Sequence, residues 1–162
     1  MGSNLGDRES TLREAILWLG EQPGNLLRSC SSLYETEPFG NKDQEWFLNC
    51  VVRMGTSRGL LDFFQLLQEG EARFGRVRGE RWGPRTLDLD LLFFDDTVYS
   101  DEKLTVPHPG VAVRRFVLEP LCEVAPDLVH PCLEERVSTL LERLTESSRV
   151  VCLGRPPVRQ PT

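Results

Sequence analysis

A chain of 162 residues, 40% hydrophobic and 27% charged, is long enough to bury one core of its own and ordinary for a globular protein. Its net charge of -6 argues against a general nucleic-acid binder, and no apolar run approaches the ~20 residues of a membrane span. The five cysteines are widely spaced with no C-x-x-C pair, which fits idle thiols in a reducing cytosol better than a metal or redox site.

Leu12, Ala15, Ile16 and Leu19 follow helical i, i+3, i+4, i+7 spacing. That helix is expected to start near residues 7–10, which offer caps, and to stop at Gly20 before Pro23-Gly24. Residues 26–36 read as a strand. Residues 37–45, with Pro38, Gly40 and Asn41, read as a loop, and 47–54 as a second strand. Residues 60–74 predict a second helix with Leu60, Leu61, Phe64 and Leu67 on its inner face. Gly70 inside it is expected to cost about 1 kcal/mol relative to Ala. A basic segment, 73–85, leads into a strong strand over 86–94, then a turn at Asp95-Asp96 and a short partner around Val98-Tyr99. Residues 115–121 predict a short helix or turn broken by Pro120, 134–144 a third helix and 150–153 a last strand. The tail from Gly154 is expected to be disordered. Strands and helices interleave without a regular βαβαβ rhythm. That pattern predicts a single α+β domain over 1–153, a mostly antiparallel sheet with helices packed on it.

The densest chemistry lies in Arg81-Trp82-Gly83-Pro84-Arg85-Thr86-Leu87-Asp88-Leu89-Asp90. On a strand Asp88 and Asp90 point one way, about 7 Å apart, and Leu87, Leu89 and Leu91 the other. A bare D-x-D is more often a solvated face or a pair of salt-bridge partners. Here Arg73, Arg76, Arg78, Arg81 and Arg85 crowd the residues just before it. Guanidinium forks bind phosphate oxygens in bidentate fashion, and Mg²⁺ takes one or two carboxylates plus phosphate oxygens. Together they resemble the clamp of phosphoryl transfer. No G-x-x-x-x-G-K-[ST] is present, which excludes a P-loop at motif level. His108, held between Pro107 and Pro109, is either structural or a further phosphate contact. Phe47 and Phe116 read first as core aromatics; Asn49 shares a face with Phe47 and suits the edge of a flat heterocycle. Gln68 and Glu71 face one way on the second helix.

In these and further blocks the chain resembles the 6-hydroxymethyl-7,8-dihydropterin pyrophosphokinase family, from Gly2 to about Pro131. The blocks are Gly2-Ser3-Asn4-Leu5-Gly6-Asp7, Tyr34-Glu35-Thr36-Glu37-Pro38-Phe39-Gly40, and Gln44 with Phe47-Leu48-Asn49. They continue with Gly75-Arg76-Val77-Arg78, residues 81–90, Leu104-Thr105-Val106-Pro107-His108-Pro109 and Arg114-Arg115-Phe116-Val117-Leu118.

The resemblance implies a ferredoxin-like α+β sandwich. It implies transfer of pyrophosphate from ATP to the hydroxymethyl group of a reduced pterin, releasing AMP, in folate biosynthesis. By that resemblance Asp88 and Asp90 hold two Mg²⁺ ions, and Arg76 and Arg85 are catalytic on the triphosphate. Further ATP contacts are implied for Arg78, Trp82, Lys103, Thr105, His108 and Arg114, with Gln68 and Glu71 on the nucleoside side. Phe47 and Phe116 would sandwich the pterin, while Asn49 and the backbone around Thr36 and Phe39 read its edge. The partners implied are small molecules, ATP and reduced pterin, with no nucleic acid and no membrane, for a cytoplasmic monomer.

Three departures stand out. Met1 precedes Gly2 directly, so the family's first apolar strand is expected to be missing. Gly70 replaces an expected apolar residue, and the loop between Arg78 and Arg81 is short. The alternatives are a degenerate, non-catalytic relative, another two-metal nucleotidyl transferase, and a ligand-sensing module.

Overall fold

The computed structural model describes residues 1–38, 43–75 and 86–159. Gly2–Ser3 itself forms a two-residue strand, β1. Helix α1 (Arg8–Glu21) starts where the Asp7 carboxylate accepts the Ser10 N–H at 3.0 Å, and it buries Leu12, Ala15, Ile16 and Leu19 as the spacing predicts.

The single strand expected over 26–36 is two strands, β2 (Asn25–Cys30) and β3 (Tyr34–Thr36). The one expected over 47–54 is likewise β4 (Phe47–Asn49) and β5 (Val52–Thr56). The two breaks face each other. Ser31 N–H donates to the Val51 carbonyl at 2.9 Å, and the Ser31 hydroxyl accepts the Val51 N–H at 2.9 Å. Buried backbone groups are therefore satisfied where the ladder is interrupted. On one side of the break β2 and β5 pair alone. On the other side β3 and β4 join a four-stranded antiparallel sheet in the order β1-β4-β3-β8, with β8 (Val150–Cys152) as predicted near the end of the chain.

Helix α2 (Leu60–Arg73) buries Phe63, Leu66, Leu67 and Gly70, while Leu61 is 54% exposed. The inner face is thus rotated from the predicted one. Gly70 is the point of closest approach: a Cβ there would stand 2.7 Å from Trp18 Cζ3 and 2.9 Å from Leu89 Cδ1.

The strong strand expected over 86–94 is extended chain with one bridge, Asp88 to Gly2. Its partner β1 has two residues and sustains no longer ladder. The alternation itself holds: Leu87, Leu89 and Leu91 are buried and Asp90 is exposed. The short segment after the turn at Asp95-Asp96 is β6 (Tyr99–Ser100); it pairs with β7 (Thr105–Val106), not with 86–94.

Helix α3 (Arg115–Val124) runs through Pro120 instead of breaking there. The Pro120 ring is fully buried, so apolar packing offsets the one backbone bond it forgoes. Helix α4 (Val137–Arg143) is shorter than predicted; Glu134 lies outside it in the left-handed region, φ 56°.

Two cores flank the sheet. One joins α1 and α2 to Leu48, Leu87 and Leu89; the other joins α3 and α4 to Val51 and Val111. The protein is thus a mixed α+β fold with four α-helices among the described residues, none of them long and apolar enough to cross a membrane. Past Gly154, the Arg155 carbonyl accepts the Leu33 N–H at 2.8 Å and Val158 packs into the first core.

Candidate active site

Strand β4 sorts its side chains by alternation. Leu48 goes into the first core, while Phe47 and Asn49 open into a recess on the other face. Thr36 from β3, Phe116 from the first turn of α3, and Asp88, Asp90 and Arg114 line the same recess. The Asn49 amide N–H donates to Thr36 Oγ1 at 2.6 Å, which fixes the amide plane. Arg114 holds its guanidinium 6.0 Å from the Phe116 ring centroid. It also lies flat on Gly110, where a Cβ would stand 2.8 Å from its Cζ.

What holds the two walls together is a tie between β3 and α3. Tyr34 donates its phenol to Glu123 Oε2 at 2.8 Å, and Ser32 donates both N–H and hydroxyl to the same carboxylate. Burial first, and the Glu123 carboxylate second, push the Tyr34 phenol well above its ordinary value, so it stays protonated and donating.

A second recess adjoins the first. Asp90, Leu89, Leu91, Lys103, Thr105, His108 and Pro109 line it, with Phe64 from α2. The His108 backbone is pinned by its N–H to the Leu92 carbonyl at 2.9 Å, and its Nδ1 accepts the Gly110 N–H at 3.0 Å. An imidazole accepting at Nδ1 carries its proton on Nε2, a donor suited to a phosphate oxygen.

The predicted residues thus fall into two groups. Thr36, Phe47, Asn49, Asp88, Arg114 and Phe116 meet in the first recess, Lys103, Thr105 and His108 in the second, and Asp90 in both. Gln68 and Glu71 line neither recess; Glu71 instead accepts the Leu89 N–H at 2.8 Å. Phe39, Arg76, Arg78, Trp82 and Arg85 lie outside the described residues. Sequence reasoning missed Gly2, Glu37 and Leu92 in the first recess and Asp101 and Glu102 in the second. Gly2 and Glu37 carried a signal, their places in the Gly2–Asp7 and Tyr34–Gly40 sequence blocks. Among the described residues no group of three or more His, Cys, Asp or Glu side chains stands close enough to hold a metal ion by itself.

Residues 1–126 match the family model described as 7,8-dihydro-6-hydroxymethylpterin-pyrophosphokinase, HPPK. The chain belongs to the HPPK family. It is 41% identical over 150 residues to the 2-amino-4-hydroxy-6-hydroxymethyldihydropteridine pyrophosphokinase of Bacillus subtilis (strain 168), covering 93% of this chain and 86% of that one. It is 43% identical over 129 residues to the enzyme of the same name from Methylorubrum extorquens, covering 80% and 82%. The folic acid synthesis protein fol1 of Schizosaccharomyces pombe is 39% identical over 143 residues, which cover 88% of this chain and 20% of that much longer protein. As an HPPK the chain is an enzyme, a pyrophosphokinase of folate synthesis, and ATP is the co-substrate that the family implies.

Proposed function

We propose that this HPPK transfers the β,γ-diphosphate of ATP to the hydroxymethyl oxygen of 6-hydroxymethyl-7,8-dihydropterin, releasing AMP. One observation carries the reading: Asp90 lines both recesses, so a slot lined by Phe47, Phe116 and Asp88 and a recess lined by Lys103 and His108 share one carboxylate. The aromatic slot suits the flat pterin, and the Asn49 amide suits its hydrogen-bonding edge. Lys103, Thr105 and His108 suit the phosphates of ATP.

In the reaction the hydroxyl oxygen bonds to the β-phosphorus. The bond from that phosphorus to the oxygen it shares with the α-phosphorus breaks, and AMP departs with that oxygen. The hydroxyl gives up its proton, for which Asp90 is the acceptor in this reading. The attacking group is a neutral alcohol, so positioning and charge neutralisation carry most of the catalysis. Arg114 and, by their sequence blocks, Arg76, Arg78, Trp82 and Arg85 serve the triphosphate, while Gln68 and Glu71 face its nucleoside side and Phe39 the pterin.

The donor set suits magnesium. Mg²⁺ takes one or two carboxylates and fills its remaining positions with phosphate oxygens and water, which two carboxylates on one face suit. Asp88 and Asp90 would hold two Mg²⁺ ions, which when bound neutralise charge on the triphosphate and acidify the attacking hydroxyl.

The finer architecture belongs to the same reading. The sheet order from the Asp88 segment through β1 and β4 to β3, with α1 and α2 in one core, supports a ferredoxin-like sandwich. The enzyme acts as a single domain whose core reaches past the expected limit at 153 to Val158, monomeric and cytoplasmic, on small molecules only.

AMP release from Mg²⁺–ATP, with and without the pterin, tests the reading. Pterin-dependent AMP is expected; AMP at equal rates without the pterin would point to hydrolysis or nucleotidyl transfer instead.

A further inference from the structure

The carboxylates of Asp88 and Asp90 sit on a segment whose strand pairing is a single bridge. Asp88 makes one bridge, to Gly2, and no ladder continues to Asp90. What stands between the two carboxylates is Leu89, and Leu89 is gripped from α2. Its N–H donates to Glu71 Oε1 at 2.8 Å. Its side chain is 6% exposed, with Cδ1 2.9 Å from where a Cβ on Gly70 would stand. Trp18 Cζ3, 2.7 Å from that same point, closes the other side. The helix comes this near to the segment only because position 70 has no side chain, and that approach is what puts the Glu71 carboxylate within reach of the Leu89 N–H. Three successive backbone groups are thereby fixed: Asp88 N–H and C=O by Gly2, and Leu89 N–H by Glu71.

We propose that Gly70 and Glu71 are a paired positioning element that clamps Leu89 and so sets the direction and spacing of the Asp88 and Asp90 carboxylates. The proposal rests on the pyrophosphokinase reading above and gives Glu71 a role there besides facing the nucleoside. Glu71 lines neither recess; it acts through Leu89. Groups that orient metal-binding carboxylates in this way commonly change metal affinity or activity by about 10- to 100-fold when removed.

Glu71→Ala and Glu71→Gln separate the possibilities. The Gln side chain keeps an oxygen that accepts the Leu89 N–H but has no charge. Two readouts are needed: exchange of the Leu89 amide hydrogen in protein without metal or substrate, and the Mg²⁺ concentration for half-maximal AMP formation. Glu71→Ala is expected to speed Leu89 exchange relative to the Leu87 amide and to raise the Mg²⁺ requirement by about tenfold or more. It should leave KM for the pterin unmoved, and Glu71→Gln should restore both readouts. Gly70→Ala, which crowds Leu89 without touching the acceptor, should shift the Mg²⁺ requirement in the same direction, and it stands in if Glu71→Ala does not fold. A Glu71→Ala enzyme with an unchanged Mg²⁺ requirement and a raised KM for ATP would overturn the clamp in favour of a nucleoside contact alone. Glu71→Gln as damaging as Glu71→Ala would overturn it in favour of the charge. Wild-type protein that makes no pterin-dependent AMP would sink the functional reading, whereas Leu89 exchange that ignores Glu71→Ala sinks the clamp alone.

Discussion

Gly2 and Asp88 exchange both of their backbone hydrogen bonds, at 3.0 and 2.8 Å, and on its other edge Gly2 stands opposite Asn49. One glycine therefore separates the backbone of Asp88 from that of Asn49, the residue proposed above to face the pterin edge. A methyl group on Gly2 would overlap the Asn49 amide oxygen, while meeting the Phe47 ring only at van der Waals contact. Gly2→Ala is predicted to push Asn49 into the slot and raise KM for the pterin by about tenfold, within the ~1–3 kcal/mol of an overpacked contact. KM for ATP should change much less. Steady-state kinetics with each substrate varied in turn checks the split.

Phe116→Ala removes one wall of the slot while leaving the second recess intact. Stacking of a flat heterocycle on an aromatic ring is worth ~1–3 kcal/mol. Pterin affinity should fall by about ten- to a hundredfold, and ATP affinity should hold. Titration of the pterin by its own fluorescence, with and without an ATP analogue that does not turn over, measures both.

Gly70 reverses an expectation drawn from helix propensity. An Ala there gains about 1 kcal/mol of intrinsic helix preference. Its methyl would meet the Trp18 ring at 2.7 Å and Leu89 Cδ1 at 2.9 Å. The Leu89 methyl can turn aside, but the indole ring is rigid, and overpacking of this kind costs ~1–3 kcal/mol. Gly70→Ala is predicted to lower stability, read as a lower urea midpoint with an unchanged slope.

Asp7 gives the acid side of the stability profile a specific contribution. The Ser10 backbone N–H first, then its hydroxyl, hold the Asp7 carboxyl below its ordinary 3.8. A depressed folded pKa means stabilisation that is fully present above the unfolded value and lost as pH falls through the folded one. Asp7→Asn keeps an oxygen for the Ser10 N–H but does not titrate. The stability difference between wild type and Asp7→Asn should be constant well above 3.8 and shrink as pH falls below it. Urea titrations at a series of pH values decide this.

Much of this was legible in the sequence wherever the cause was local. Helix α1 followed from a cap and an apolar period, and Leu87, Leu89 and Leu91 followed from alternation. The breaks at Ser31 and Val51 were not legible, because the apolar pattern runs on while the strands change partners. Ser31 reads as an ordinary strand residue; only its two bonds to Val51 reveal the switch. The inner face of α2 was misplaced for a related reason: a glycine scores as neutral, yet Gly70 is where the helix touches Trp18 and Leu89. Pro120 reads as a breaker in the sequence because the burial that keeps it in α3 is tertiary. In the site, the residues that meet in each recess were readable as types, but that Asp90 belongs to both recesses required the fold.

The most direct test of that shared carboxylate compares wild type with Asp90→Asn for two quantities side by side, pterin binding and pterin-dependent AMP release from Mg²⁺–ATP. The variant is expected still to bind pterin in the Phe47–Phe116 slot while turnover falls by about 10²–10³-fold, the scale of losing one group that stabilises developing charge. Near-normal AMP release from Asp90→Asn, or AMP release from wild type that ignores the pterin, would contradict it.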